Sequence, residues 1–122
     1  MLPDPLCHYL NEVEAAVWKL KEVYVERYQE EILADDRANL RIRVRFAKGC
    51  LLEINEAVVV ETGTIRHLGY RYHLQNERNE LIFRYDNTPY FPDLKSFPHH
   101  KHMETGVLDC ERPSIPRVLE EA

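Results

Sequence analysis

A chain of 122 residues supplies one domain with a single buried core, residues 1–122 in one unit. With 44% hydrophobic and 30% charged residues it is not a disordered chain, and no apolar run approaches the roughly 20 residues that cross a bilayer. The net charge of −5 speaks against a protein that coats nucleic acid by bulk electrostatics, yet residues 37–101 carry 11 Lys/Arg against 7 Asp/Glu, so a basic centre lies between acidic flanks.

The first residues, Met1, Leu2, Pro3, Asp4 and Pro5, lack the basic and apolar regions of a secretion signal. Cys7, Cys50 and Cys110 are odd in number, show no CxxC spacing and read as reduced thiols. Both features point to the cytoplasm. Asp4 and Pro5 make a helix start, Asp as N-cap and Pro at the first helical position. Leu6, Leu10, Val13, Val17 and Leu20 then recur at spacings of four and three, which predicts a helix over residues 5–21 with one apolar stripe. From Val23 the spacing of Tyr24, Tyr28 and Ile32 fits either period. The β-favouring run Val23, Tyr24, Val25 decides for a strand over 23–33.

Residues 35–39 read as a turn. Beyond it Leu40, Ile42, Val44 and Phe46 alternate with Arg41, Arg43 and Arg45, a strand with one apolar and one basic side. Lys48 and Gly49 make a tight hairpin turn, and the return strand starts at Cys50, with Leu52 and Ile54 opposite in phase to Glu53 and Asn55. Residues 66–75 and 80–86 form a second antiparallel pair around the polar loop 76–79. In that pair Tyr70, Tyr72 and Leu74 alternate with Arg71 and His73, and Leu81, Phe83 and Tyr85 with Arg84 and Asp86. The stretch after Asp86, broken by Pro89, Pro92 and Pro98, reads as a loop, and a short helix is expected from about Ser114 with Val118 and Leu119 inward. The expected fold class is α+β: an N-terminal helix on the apolar face of a roughly five-stranded antiparallel meander, with a short C-terminal helix.

If every apolar strand side faces the helix, the opposite side collects Arg41, Arg43, Arg45, Glu53, Arg71, His73, Arg84 and Asp86. Five arginines on one face can grip phosphates in a bidentate fashion; a solvated face laced by cross-strand Arg–Glu pairs is the other reading. The second chemical feature is the run Phe97, Pro98, His99, His100, Lys101, His102, which holds half of the six histidines within four residues. Imidazoles titrate near working pH and can take and give protons. In an extended segment His100 and His102 share a side and His99 points away. Imidazoles at i and i+2 can also chelate. No second His/Cys pair stands at zinc-ligand spacing, however, and the neighbouring Arg and Lys repel a cation, so neither metal nor cofactor is expected. Plain surface histidines remain the third reading.

Two motifs in order, Tyr70-Arg71-Tyr72-His73-Leu74 with Leu81-Ile82-Phe83-Arg84-Tyr85-Asp86-Asn87-Thr88-Pro89, then Phe97-Pro98-His99-His100-Lys101-His102, closely resemble the TumE-like toxins of bacterial toxin–antitoxin modules. The resemblance covers roughly residues 40–120. Residues 1–39 match only in outline, and Lys48-Gly49 stands where that family often has Asp-Gly. It implies a small toxin neutralised by a cognate antitoxin of the helix-turn-helix type, encoded beside it.

The residues themselves suggest a chemistry for such a toxin. Cutting RNA without metal needs a base for the ribose 2′-OH, an acid for the leaving oxygen and cations for the charge on phosphorus. His100 and His102 are the candidate base and acid, with His99 beside them, Arg84 and Lys101 as the cations, and Asp86 to orient an imidazole or hold Arg84. Arg41, Arg43, Arg45, Arg71 and His73 are the candidate RNA-binding residues, and Tyr90, Phe91 and Phe97 can stack on splayed bases. The alternative is a non-enzymatic binding module whose His-rich loop is a structural or partner-interface element. No membrane partner is expected.

Overall fold

The computed structural model describes residues 4–122. Helix α1 spans Asp4–Trp18 and is followed by seven strands: β1 Val23–Ala34, β2 Arg37–Phe46, β3 Leu51–Glu61, β4 Thr64–Gln75, β5 Leu81–Asp86, β6 His100–Met103 and β7 Gly106–Asp109. Helix α2, Ile115–Glu121, closes the chain, with the Ser114 hydroxyl capping its start by accepting from the Arg117 amide. The strands form one antiparallel sheet in sequence order, a plain meander.

The α+β reading holds, and the strand count is corrected from five to seven. The additional pair, β6 and β7, lies where the prolines argued for a loop. Pro89, Pro92 and Pro98 all precede His100, so none interrupts the ladder that β6 builds on β5. The helix also ends earlier than residue 21. The chain turns through Glu22, whose φ is +60°, to enter β1. Strand β2 starts at Arg37 because the turn is only Asp35 and Asp36, with Ala34 paired to Arg37. Thr62 and Gly63, both at positive φ, make the equally tight β3–β4 turn that joins Glu61 to Thr64.

Alternation decides what the sheet buries. Leu40, Ile42, Val44, Leu52, Ile54, Val58, Tyr72, Leu74, Phe83 and Tyr85 point to one side, where Leu6, Leu10, Val13 and Val17 of α1 and Ile115, Val118 and Leu119 of α2 cover them. Both helices therefore lie on that side. The other side carries the arginines, and part of it lies under the segment 87–99.

Candidate functional site

Residues paired across adjacent antiparallel strands share a face, so the register assembles the site. One row runs Arg41, Asn55, Arg71, Asp86, His100; the next runs Arg43, Glu53, His73, Arg84, His102. Arg41, Arg43, Arg45, Arg71, His73, Arg84, Asp86, His100 and His102 thus occupy one face, opposite α1. The other candidates are elsewhere. Lys101 belongs to the helix side, where its Nζ lies 2.6 Å from Glu121 and over the rings of Tyr85 and Phe83. Its pKa is raised: burial alone would lower it, and the bonds to Glu121 and Tyr85 outweigh that. His99 stacks on Tyr70, with Nδ1 2.9 Å from the Tyr70 hydroxyl. The structure therefore joins His100 and His102 to Arg84 and Asp86 but brings neither His99 nor Lys101 to them.

Asp86 is the hub. It is buried, and its Oδ1 accepts hydrogen bonds from the Thr88 amide and hydroxyl. His100 Nε2 lies 2.7 Å from the same oxygen, while Arg84 Nε and His102 Nε2 lie 3.4 and 3.5 Å from Oδ2. Proximity is not bonding here: among the described residues neither His100 Nε2 nor Arg84 Nε makes a hydrogen bond. The two imidazoles meet edge to face at 4.7 Å, and Phe91 covers both at 5.0 and 5.7 Å. His100 is 1% exposed, with Nδ1 2.9 Å from the Pro98 carbonyl, whereas the His102 side chain keeps 19% of its surface in solvent. Burial and Arg84 lower the His102 pKa against the pull of Asp86. Burial also lowers that of His73, opposed by Gln75 Oε1, 3.1 Å from its Nε2, and helped by Arg71 and Arg84.

Asn87 fixes where the chain leaves β5. Its side chain accepts from the Tyr70 amide and donates to the Leu68 carbonyl, continuing the ladder for one more position. The following segment then bounds a cleft of about 560 Å³ lined by Arg71, Arg84, Asp86, Thr88 and Tyr90. A second cleft of about 340 Å³ adjoins it through Tyr70 and Arg71 and reaches Arg41 and Asn55. The Tyr90 ring is 73% exposed at the first cleft.

The arginines divide into two kinds. Arg43 pairs with Glu26 and Glu53, at 3.3 and 3.6 Å, and Arg45 pairs with Glu26 at 3.0 Å. That half of the face is the laced, solvated surface. Arg41 and Arg71 are exposed and make no ion pair among the described residues.

The opposite face holds a polar cluster that the motifs did not mark. Glu56, its side chain fully buried, accepts from the hydroxyls of Tyr9, at 2.5 Å, and Tyr72, and lies 3.3 Å from His67 Nε2. Arg112 donates to the Tyr72 hydroxyl at 3.1 Å. The signal was legible in phase: Glu56 continues the inward series Leu52, Ile54, and a carboxylate at a core position needs partners.

No helix among the described residues is long and apolar enough to cross a membrane. Neither the curated proteins nor the solved structures contain a detectable match to the chain. A family model does match, over residues 13–122, a span that takes in the arginine face, the Asp86 hub and all of the Glu56 cluster but Tyr9; its description is toxin TumE, and the chain belongs to that family.

Proposed function

We propose that this toxin cuts single-stranded RNA laid across the arginine face, with His102 and His73 exchanging protons on either side of Arg84. The observation that carries the reading is the clustering of unmet polar atoms. Four buried side-chain polar atoms lack a hydrogen-bond partner among the described residues. Three of them, His73 Nδ1, Arg84 Nε and His100 Nε2, belong to this one patch. A folded protein satisfies most such groups with its own atoms or with water, so three orphans in one patch mark a place where a ligand can supply the partner.

His73, Arg84 and His102 are direct neighbours on three adjacent strands, so the imidazoles flank the guanidinium at roughly 5 Å on each side, backbone to backbone. A phosphate held by Arg84 and Arg71 lies between them. One imidazole takes the 2′-OH proton, the 2′-oxygen attacks phosphorus, the bond to the 5′-oxygen breaks, and the other imidazole protonates that oxygen. The products are a 2′,3′-cyclic phosphate and a 5′-hydroxyl, and the route uses no metal. His100 is buried away from the RNA path, while Tyr90 offers a face on which a base can stack. The cytoplasm, where RNA is accessible, is the proposed site of action, and a helix-turn-helix antitoxin the proposed partner.

The test is induced expression beside analysis of RNA ends. Wild-type protein should stop growth and leave cyclic phosphates. Arg84→Ala and His102→Ala should each lose about 10²–10³-fold in cleavage with the melting temperature unchanged. Full toxicity in both variants, or toxicity lost only in step with folding, would instead favour the non-enzymatic binding module. The inward bonds of His99 and His100 are the observation on that side.

A further inference from the structure

We infer that Asp86, His100 and His102 form a binding site for a divalent first-row transition cation, zinc in the first instance, and that filling it silences the proton exchange proposed above. The binding stands on geometry alone; the silencing rests on that functional reading.

One ligand atom from each residue lies within 4.8 Å of the others. The decisive atom is His100 Nε2. Across the ring, Nδ1 faces the Pro98 carbonyl at 2.9 Å, and a carbonyl can only accept, so Nδ1 carries the hydrogen. In the neutral ring Nε2 is then a bare lone pair, buried, 2.7 Å from a carboxylate oxygen and without a hydrogen-bond partner among the described residues. Two electron-rich atoms at that separation repel unless a proton or a cation bound beside them offsets their charge. A backbone carbonyl behind the ring is also the partner that fixes a metal-binding imidazole in the required tautomer.

The donor types and the His102–Asp86 distance agree. A tetrahedral ion about 2.1 Å from each ligand sets the ligand atoms roughly 3.4 Å apart; His102 Nε2 stands 3.5 Å from Asp86 Oδ2, and His100 Nε2, 2.7 Å from Oδ1, has to draw back to match. Two nitrogens and one oxygen suit zinc and its neighbours, whereas magnesium and calcium take oxygen. The sequence argument against metal was the lack of further ligands at zinc spacing. The β5–β6 register supplies Asp86 from the adjacent strand. The cationic neighbours remain: Arg84 lies 3.4 Å from Asp86 Oδ2, held there without a hydrogen bond, and has to swing aside. Binding is therefore reversible and weaker than in a closed structural site. A cation on His102 Nε2 also draws that imidazole out of acid–base work.

The experiment is a calorimetric titration of zinc sulfate into full-length protein previously stripped with EDTA. One zinc per chain is expected. Affinity should fall at least about tenfold in His102→Ala and in Asp86→Asn, and should persist in a variant with Cys7, Cys50 and Cys110 all changed to Ser. Melting curves confirm that each variant is folded. No binding by the wild type, binding unaltered in both site variants, or binding lost with the cysteines would overturn the site. In cleavage assays zinc should inhibit and EDTA restore; cleavage that needs zinc would overturn the silencing and the metal-free reaction together, while leaving the site in place. A wild type that binds zinc but cuts no RNA would sink the functional reading and not the site.

Discussion

Glu56 shows how a single side chain can set the acid limit of the fold. Burial alone would raise its pKa, but the His67 ring and the hydroxyls of Tyr72 and Tyr9 hold it below the ordinary 4.5. A carboxylate depressed in the folded state contributes stability that is fully present above its unfolded pKa. That stability is lost as pH falls through the folded value. The protein should therefore lose melting temperature progressively below about pH 4.5, and Glu56→Gln should flatten that decline. The same variant should be less stable at neutral pH by about 1–3 kcal/mol, since one acceptor of the cluster becomes a donor facing donors. A neutral-pH stability equal to wild type, or an unchanged acid slope, would show the cluster to be slack. Tyr90 is the converse case, a large ring with 73% of its surface in solvent beside the Arg71–Arg84 cleft. Tyr90→Ala should leave unfolding unchanged and weaken single-stranded RNA binding by about 1–3 kcal/mol, read by fluorescence anisotropy; unaltered affinity would remove it from the RNA path.

At the scale of elements the site depends on β6 being held against β5, and a small clasp does the holding. The Ser96 amide donates to Asp109 Oδ1, its hydroxyl donates to the His99 carbonyl, and the Cys110 amide donates back to that hydroxyl. The clasp ties the end of segment 87–99 to the end of β7. Ser96→Ala removes two of the three bonds around a buried side chain, a cost of about 1–3 kcal/mol. Hydrogen exchange should quicken over residues 96–110 before it does in β2 or β3; uniform quickening would mean that the clasp supports the whole sheet. The same region marks where sequence reading stopped. The arginine face was legible because period-two alternation at 40–46 and 80–86 states which residues share a side, and Arg43 and Arg84 do share one. The side-by-side placement of His100 and His102, with His99 turned away, followed from the same rule. What alternation does not encode is which strand lies next door. The pairing of His102 with Arg84, the arrival of Asp86 between two imidazoles and the removal of Lys101 to the helix side are all consequences of the β5–β6 register. Nothing local in a four-residue strand fixes that register in advance.

For the molecule as a whole, the separation of charge suggests how an antitoxin would neutralise the toxin. The net charge is −5, while Arg41 and Arg71, without an ion pair among the described residues, stand on the arginine face in clefts that adjoin through Arg71. Both helices cover the opposite face, so that side is occupied by the protein's own core. A partner carrying an acidic segment is drawn to the arginine face and competes directly with RNA there; complementary charge of this kind acts mainly on the rate of encounter. Arg41→Glu and Arg71→Glu should therefore slow association with the antitoxin while leaving melting behaviour unchanged, and should weaken RNA binding in parallel. For RNA, each lost phosphate contact should reduce the dependence of log affinity on log salt by about 0.7. Exchange protection on forming the antitoxin complex should appear at β2, β4 and β5 on the arginine side. If the two proteins co-purify with those residues unprotected and with association indifferent to either reversal, neutralisation works from another surface. The competition between antitoxin and RNA would then have to be abandoned.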